Sequence, residues 1–240
     1  MPIEAWFPLA IYHADLPDSS VHNASLLSAI QGLRASAPAK RTNERSAWTG
    51  DLHEVERLHF NPDFAWITNQ VQVHVLIYLQ SLGVDPKIFD LYIQRSWPVI
   101  STKGQIVDRH THSTSHVSAV YYVSAPGGEM SGRIRFFNEA RFNELVGGLT
   151  TPFSAALAVP NAFNYQSAMY QPAEGRLLIF PAKLPHDVEA NKSDYERVSL
   201  SFDIVLTSRP ERGPGLYEFL MPSPNQWLRC KRVEDDNVRR

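Results

Sequence analysis

The first third of the chain carries apolar side chains at helical spacing in two segments. Residues 19–35 contain one such stripe, and residues 61–83 contain a longer one, which is the pattern of amphipathic helices. The second segment begins at Asn61, a natural N-cap, and stops at Gly83, a common C-terminal residue. Residues 4–13, rich in aromatic and β-branched side chains, are predicted to form a strand. The stripe of the first helix consists of Leu26, Leu27, Ile30 and Leu33.

From Ile88 onward the hydrophobic period changes from helical to strand-like. Eight short β-like runs follow one another, separated by proline and glycine, after the two helices. This order predicts a mainly β protein, a barrel or jelly roll with the helices packed outside. We expect a single domain over residues 1–240, with helical support at 19–83, the barrel at 88–207 and a C-terminal extension at 208–240. The predicted strands are residues 89–97, 105–109, 116–124, 132–137, 154–160, 164–170, 176–180 and 198–206.

Composition restricts the class of protein and its compartment. The 240 residues are 43% hydrophobic and 20% charged, which is ordinary for a soluble globular chain. The formal net charge of −2 gives no reason to expect nucleic acid or an acidic membrane as partner. The single cysteine, Cys230, excludes an intramolecular disulfide and fits a reducing compartment. With neither a signal peptide pattern nor a long apolar run, we expect a cytoplasmic protein.

Three histidines stand beside β-like runs. His110 and His112 have one residue between them, and residues two apart on a strand point the same way. His186 directly follows a proline at the end of another strand. Together they would complete a facial set of nitrogen ligands for a metal such as Fe(II). Because the chain holds nine histidines, a structural or exposed role for each remains the alternative.

An arginine opens the last predicted strand. Arg197 and Ser199 fall on one face of this strand, while the residues between and after them on the other face are apolar. The planar guanidinium matches a carboxylate in a bidentate pair, and the serine hydroxyl adds a further donor. The alternative is an edge-strand arginine paired with Asp203 or Glu196.

In this order, the motifs resemble the Fe(II)/2-oxoglutarate-dependent oxygenase superfamily. The likeness extends to a small bacterial and phage group of 2-oxoglutarate oxygenases, whose members begin with a segment similar to Phe7-Pro…Ile11-Tyr12. The resemblance implies a double-stranded β-helix that uses Fe(II), 2-oxoglutarate and O2. The motifs are His110-Thr-His112, Val117-Ser-Ala-Val-Tyr-Tyr, Phe180-Pro, His186-Asp-Val188 and Arg197-Val-Ser199.

The resemblance also implies roles for individual residues. His110 takes the position of the first metal ligand and His186 that of the distal histidine. Arg197 and Ser199 match the Arg-x-Ser pair that binds the far carboxylate of 2-oxoglutarate. Tyr122, on the strand after the metal motif, takes the position of an aromatic residue that contacts the cosubstrate.

One position departs from the family pattern. The usual motif is His-x-Asp, and here His112 stands where the aspartate is expected. The first choice is therefore three histidine ligands, which leave Fe(II) with one more positive charge than the usual set. Alternatively His112 is the leading ligand, with Thr114 in the carboxylate position. Asp108, two residues before the motif, is a third option as ligand or as partner of a ligand.

The resulting hypothesis is a dioxygenase, most often a hydroxylase, that couples decarboxylation of 2-oxoglutarate to succinate with oxidation of a C–H bond. The substrate is expected to be a small molecule or a peptide side chain, and a homodimer is a reasonable expectation. One alternative is a three-histidine metal oxygenase that does not use 2-oxoglutarate. Another is a non-catalytic jelly-roll binding module. Candidate substrate contacts on the barrel mouth are Trp48, Trp97, Gln105, Asn138, Arg141 and Asn161.

Overall fold

The computed structural model describes residues 3–40, 43–149, 151, 156–209 and 219–230. Its two α-helices and ten strands follow one another much as the hydrophobic pattern predicts. The helices are α1 (Ser19–Ser36) and α2 (Ala65–Ser81). The strands are β1 (Tyr12–Asp15), β2 (Trp48–Thr49), β3 (Phe89–Ser101), β4 (Val107–His110), β5 (Val117–Ser124), β6 (Ile134–Phe137), β7 (Ser167–Tyr170), β8 (Arg176–Pro181), β9 (His186–Val188) and β10 (Arg197–Ser208).

The strands form two antiparallel sheets. The larger has six strands in the order β1-β8-β5-β10-β3-β2, and the smaller has four in the order β4-β9-β6-β7. Apolar side chains from both sheets meet in one buried cluster, in which the rings of Phe136 and Phe180 lie 4.7 Å apart. Two sheets that enclose a common interior agree with the predicted jelly roll. The buried members of this cluster are Tyr122, Ile134, Phe136, Leu178 and Phe180.

Both helices pack on the outer face of the six-stranded sheet. Their buried residues, such as Ile30 of α1 and Val71 of α2, belong to one apolar cluster with side chains of β5, β8 and β10. The predicted N-cap of the second helical segment is confirmed, because the Asn61 side chain accepts a hydrogen bond of 3.0 Å from the Asp63 backbone N–H. The helices are therefore external supports of the barrel. None of the helices described is both long and apolar enough to cross a lipid bilayer.

Three predicted strands have different limits or are absent. The strand predicted at residues 4–13 is wrong except at its end, because β1 begins only at Tyr12 and Phe7 adopts a left-handed φ of 60°. The strand predicted at residues 89–97 is longer in the structure. It continues past Pro98 as β3, since a proline removes only one donor and pairing with β10 extends to Ser101. Of the strand predicted at 154–160, residues 154–155 lie outside the described residues, and 156–160 form no strand.

Strand β10 lies in the middle of the larger sheet and positions much of the site. It pairs with β3 along its whole length and with β5 from Val198 to Ile204. Its side chains alternate between the helices and the barrel interior, as expected for an extended strand. The register with β3 shifts between Asp203 and Ile204, which leaves Gln94 of β3 as the extra residue of a bulge opposite the middle of β10. Residues 210–218 and 231–240 of the predicted C-terminal extension lie outside the described residues.

Candidate metal and cosubstrate site

The structure brings the three predicted histidines together at one end of the barrel. His110 ends β4 and His186 begins β9, and the two are paired directly across the strands. His112 follows in the next turn, where its backbone N–H donates to the Ala182 carbonyl at 2.9 Å. One potential ligand atom from each ring lies within 4.8 Å of those of the other two. The folded chain therefore converts two distant motifs into one cluster of imidazoles.

His110 and His186 are oriented by the same local device. The Nδ1 of His110 donates to the backbone carbonyl of Asp108 at 2.7 Å, and the Nδ1 of His186 donates to that of Leu184 at 2.8 Å. In each case the acceptor is two residues earlier. These bonds fix the tautomer, because an Nδ1 that donates leaves the lone pair on Nε2.

The Nδ1 of His112 contacts a carboxylate instead, that of Asp203, at 2.7 Å. Asp203 is completely buried. Its Oδ1 also accepts hydrogen bonds of 3.1 Å from the hydroxyls of Ser115 and Ser118, and its Oδ2 accepts one of 2.7 Å from Arg95. Burial alone would raise the pKa of this carboxyl, but the hydrogen bonds and charges of His112 and Arg95 outweigh burial and lower it. Asp203 is thus an ionised acceptor behind the His112 ring.

The histidines have the chemistry of a metal ligand set. Burial, with the neighbouring His110 as a smaller cause, lowers the pKa of His186 to about 3, and burial also lowers the pKa of His110. Because the Nδ1 atoms of the three rings are engaged, the Nε2 atoms are the ones left to bind one ion. Imidazole nitrogen binds zinc at about 2.1 Å, and other first-row ions use the same ligand. The three rings offer one ligand atom each within 4.8 Å of one another, so the residues present fit Fe(II).

Arg197 lies further inside the barrel. Only 2% of its surface is exposed, and burial lowers the pKa of its guanidinium. Its Nη1 donates to the carbonyls of Ser131 and Gly132 at 2.7 and 3.1 Å. Gly132 has a φ of +78°, a backbone conformation that favours glycine, so the turn that presents these carbonyls depends on it. Within the described ranges no carboxylate pairs with Arg197.

The alternative partners proposed for Arg197 from the sequence are wrong. Asp203 pairs with Arg95, and Glu196 pairs with Arg34 at 2.8 Å. Arg197 is not on an edge strand either, because β10 lies between β5 and β3. A buried cation with only carbonyl partners is suited to bind an anionic ligand.

Ser199 and Tyr122 lie next to Arg197. They are direct cross-strand neighbours on β10 and β5, and both are buried. Burial raises the pKa of Tyr122 to about 12, so its hydroxyl stays protonated. Tyr122 belongs to the same apolar cluster as Phe180, whose ring lies 4.9 Å from that of His186. The predicted cosubstrate residues and the histidines therefore share one interior.

Of the residues predicted from the sequence as substrate contacts, some lie at the site and others do not. Trp97 is at the site, because its ring stacks on that of His112 at 5.8 Å and 25°. Trp48 packs against the helix-side core. Gln105, Asn138, Arg141 and Asn161 make hydrogen bonds within loops.

The two alternative ligands are not brought into the cluster. Asp108 contributes its backbone carbonyl to His110, and its carboxylate is not part of the group of potential metal ligands found among the described residues. Thr114 donates its hydroxyl to the Gln94 side chain at 3.3 Å. Sequence reasoning missed Asp203 as a site residue, although its even spacing from Arg197 and Ser199 places it on the same strand face.

A comparison of the sequence with protein families matches residues 95–203 to a family described as "Putative 2OG-Fe(II) oxygenase". This segment contains the three histidines, Asp203, Arg197, Ser199 and Tyr122. Residues 95–203 are a 2OG-Fe(II) oxygenase domain. Fe(II) and 2-oxoglutarate are the cofactors of this family. The recognition made from the motifs is therefore confirmed.

Solved structures similar to this chain have the same double-stranded β-helix. The epimerase SnoN from nogalamycin biosynthesis matches with a TM-score of 0.55 and 14% identity, covering 93% of this chain and 89% of SnoN. A prolyl-4-hydroxylase from Pseudomonas putida matches with a TM-score of 0.51 and 17% identity, covering 84% and 94%. HygX from Streptomyces hygroscopicus, solved with nickel and 2-oxoglutarate bound, gives 0.52 and 12%, covering 82% of each chain. At these identities the likeness confirms the fold alone. No curated protein matches the sequence.

Proposed function

We propose that this 2OG-Fe(II) oxygenase domain makes the protein a hydroxylase of a small molecule or a peptide side chain. In this proposal His110, His112 and His186 hold the iron, and Arg197 and Ser199 bind the far carboxylate of 2-oxoglutarate. The observation that carries it is the engagement of all three Nδ1 atoms by acceptors behind the rings. Such acceptors fix the orientation of metal-binding histidines in proteins.

When bound, the iron and 2-oxoglutarate supply the chemistry: O2 is consumed, 2-oxoglutarate gives succinate and CO2, and one oxygen atom enters a substrate C–H bond. The residues of this chain bind the iron and 2-oxoglutarate and orient them toward the substrate. Arg197 would pair with the cosubstrate carboxylate through the guanidinium nitrogens that do not face the two carbonyls. The Ser199 and Tyr122 hydroxyls, which are cross-strand neighbours, would donate to the same ligand.

The apolar cluster between the sheets has a protective role in this proposal. Phe136 and Phe180 are both fully buried and contact the His186 ring. Apolar side chains around the ligands exclude water from the reacting atoms and strengthen the electrostatic contacts of Arg197. Both substrate classes are retained because the similar structures include a prolyl-4-hydroxylase and an epimerase from nogalamycin biosynthesis.

The test is an anaerobic titration of the Fe(II)-loaded protein with 2-oxoglutarate, followed by the visible charge-transfer band of the complex. We expect the band in the wild type and its loss, or a shift to far higher concentrations, in Arg197→Ala. Arg34→Ala is a matched control, because Arg34 pairs with Glu196 on α1's side of the molecule and should leave the band unchanged.

The same titration distinguishes the alternatives. Bound metal without a band, together with O2 uptake that survives Arg197→Ala in a separate aerobic assay, would support a three-histidine oxygenase that does not use 2-oxoglutarate. Failure to bind any metal, with the fold intact by circular dichroism, would leave only the binding module.

A further inference from the structure

Three neutral imidazoles give a bound Fe(II) no negative charge, whereas the usual motif of this family supplies one through an aspartate at the position of His112. A carboxylate nevertheless lies close by. Asp203 touches His112 on the side of the ring that faces away from the other two histidines, since its contact is with Nδ1 at 2.7 Å. It cannot bind the same ion from there. It can act on the ion only through the His112 ring.

We propose that Asp203 is a positioning residue for the metal centre, which holds the His112 ring and supplies, one hydrogen bond further out, the negative charge that the ligand set lacks. A carboxylate that accepts from the Nδ1 of a bound imidazole increases the basicity of that ligand and fixes its orientation. This inference rests on the proposed function, because it requires the metal to lie among the three histidines.

The surroundings of Asp203 leave most of its negative charge acting on His112 rather than neutralised by Arg95. Its Oδ1 accepts from His112, Ser115 and Ser118, and only Oδ2 faces a cation. That cation, Arg95, has 35% of its side chain exposed, whereas Asp203 has none. Water therefore screens the charge of Arg95 more than that of Asp203. The carboxylate retains a field toward the histidine that a fully buried ion pair would cancel.

Neighbouring residues also fix the plane of the His112 ring. Trp97 stacks on His112, and the guanidinium of Arg95 lies 5.0 Å from the centre of the Trp97 ring. Arg95 and Asp203 are direct cross-strand partners, immediately before the register shift that leaves Gln94 of β3 as an extra residue. Bulges commonly re-aim a side chain beside an active site, and here the extra residue directly precedes Arg95, the cross-strand partner of Asp203.

The experiment is a titration of metal-free protein with Co(II), read from the visible absorption of the bound ion, so it requires neither 2-oxoglutarate nor turnover. We expect Asp203→Asn to weaken Co(II) binding by about 10- to 100-fold, with an altered spectrum and an unchanged circular dichroism spectrum. The asparagine amide oxygen can still accept from His112, so the charge is the main property removed.

Two further variants test whether Asp203 supports metal binding through His112 or only neutralises the charge of Arg95. Arg95→Gln should bind Co(II) as tightly as the wild type or more tightly, because Asp203 then lacks its opposing charge. The double variant Arg95→Gln/Asp203→Asn, in which no unpaired charge remains, should bind as weakly as Asp203→Asn. Ser118→Ala is the matched control, since it removes one hydrogen bond to Oδ1 and leaves the carboxylate on His112.

Each outcome decides between the claims. Wild-type affinity in Asp203→Asn, or its recovery in the double variant, would overturn the role of Asp203 while leaving the three-histidine site in place. If the wild type itself binds no Co(II), or if His186→Ala binds it equally well, the proposed function fails first and this inference fails with it.

Discussion

The two faces of β10 differ sharply although both belong to one strand of twelve residues. Toward the helices the strand presents Val198, Leu200 and Phe202, which are buried in a continuous apolar core. Toward the barrel interior it presents polar side chains that are equally buried, including Arg197 and Asp203. The contrast shows how alternation on a single strand can separate the residues that stabilise the fold from those suited to bind ligands.

The energetic consequences of the two faces are opposite. Full burial of a large apolar side chain contributes about 1.5–3 kcal/mol. Burial of a polar or charged group costs free energy unless hydrogen bonds or an opposite charge compensate. The inner face is compensated unequally, because Asp203 has four donors whereas Arg197 has two carbonyls. Arg197 is the group whose environment is improved most by an anionic ligand.

The largest expected effect is on the helix side. Phe202 is completely buried between the sheet and the helices, so Phe202→Ala should destabilise the protein by about 3–5 kcal/mol. Urea unfolding followed by circular dichroism measures this, with Phe219→Ala as the control because Phe219 is 84% exposed. An equal loss of stability in the two variants would contradict the assignment of this face to the core.

A substitution on the inner face of β10 should change stability little and 2-oxoglutarate binding strongly. Arg197→Met removes a buried charge, so we expect its free energy of unfolding to stay within about 1 kcal/mol of the wild type, the lost hydrogen bonds offsetting the desolvation that is relieved. Its affinity for 2-oxoglutarate should fall about 100-fold or more, as for a truncated charge pair. Parallel urea and 2-oxoglutarate titrations check both. A strongly destabilised variant with normal affinity would make Arg197 a structural residue.

The sequence predicted this division only in part. Period-two alternation after Arg197 was sufficient to assign the two faces of β10, and the spacing of His110 and His112 was sufficient to place them together. The pairing of these residues with His186 is a long-range contact, and only the resemblance to a family linked the two motifs. The inner-face role of Asp203 was accessible by the same alternation, but its partners come from three other segments of the chain.

The errors have local causes. The N-terminal run 4–13 has strand composition, yet the exposed Trp6 and Phe7 do not join a sheet. Propensity for strands reflects packing on a half-buried surface, and no strand in the described part of the chain covers this stretch. The missing N–H of Pro98 predicts a strand end at residue 97, but β3 continues through Pro98 because it stays paired with β10.

The interior should also make stability depend on pH in metal-free protein. The pKa of His186 is about 3 in the folded state and about 6.5 in the unfolded state. The unfolded chain therefore binds the extra proton first, and stability is lost as the pH falls from about 6.5 toward 3. At pH 5 the loss from His186 is ~2 kcal/mol relative to pH 8.

The comparison of wild type with His186→Asn isolates this contribution. Urea midpoints measured from pH 8 to pH 5 without metal should fall more steeply in the wild type than in the variant. The apolar face carries no such dependence, so Phe202→Ala should keep the wild-type slope. Parallel slopes for the wild type and His186→Asn would mean that His186 is hydrated rather than buried.

The smallest effect concerns one hydroxyl beside the buried cation. Ser199 lies opposite Tyr122 and two residues from Arg197 on the inner face, so Ser199→Ala should remove one hydrogen bond to the cosubstrate carboxylate. A loss of about 1–1.5 kcal/mol corresponds to a dissociation constant for 2-oxoglutarate that rises about tenfold. Ser201→Ala, on the same face but one step nearer the metal end, is the matched control and should leave this constant unchanged. If both variants weaken 2-oxoglutarate binding equally, the cosubstrate does not lie at the Arg197 end of the strand, and the inner face would have to be reassigned along its length.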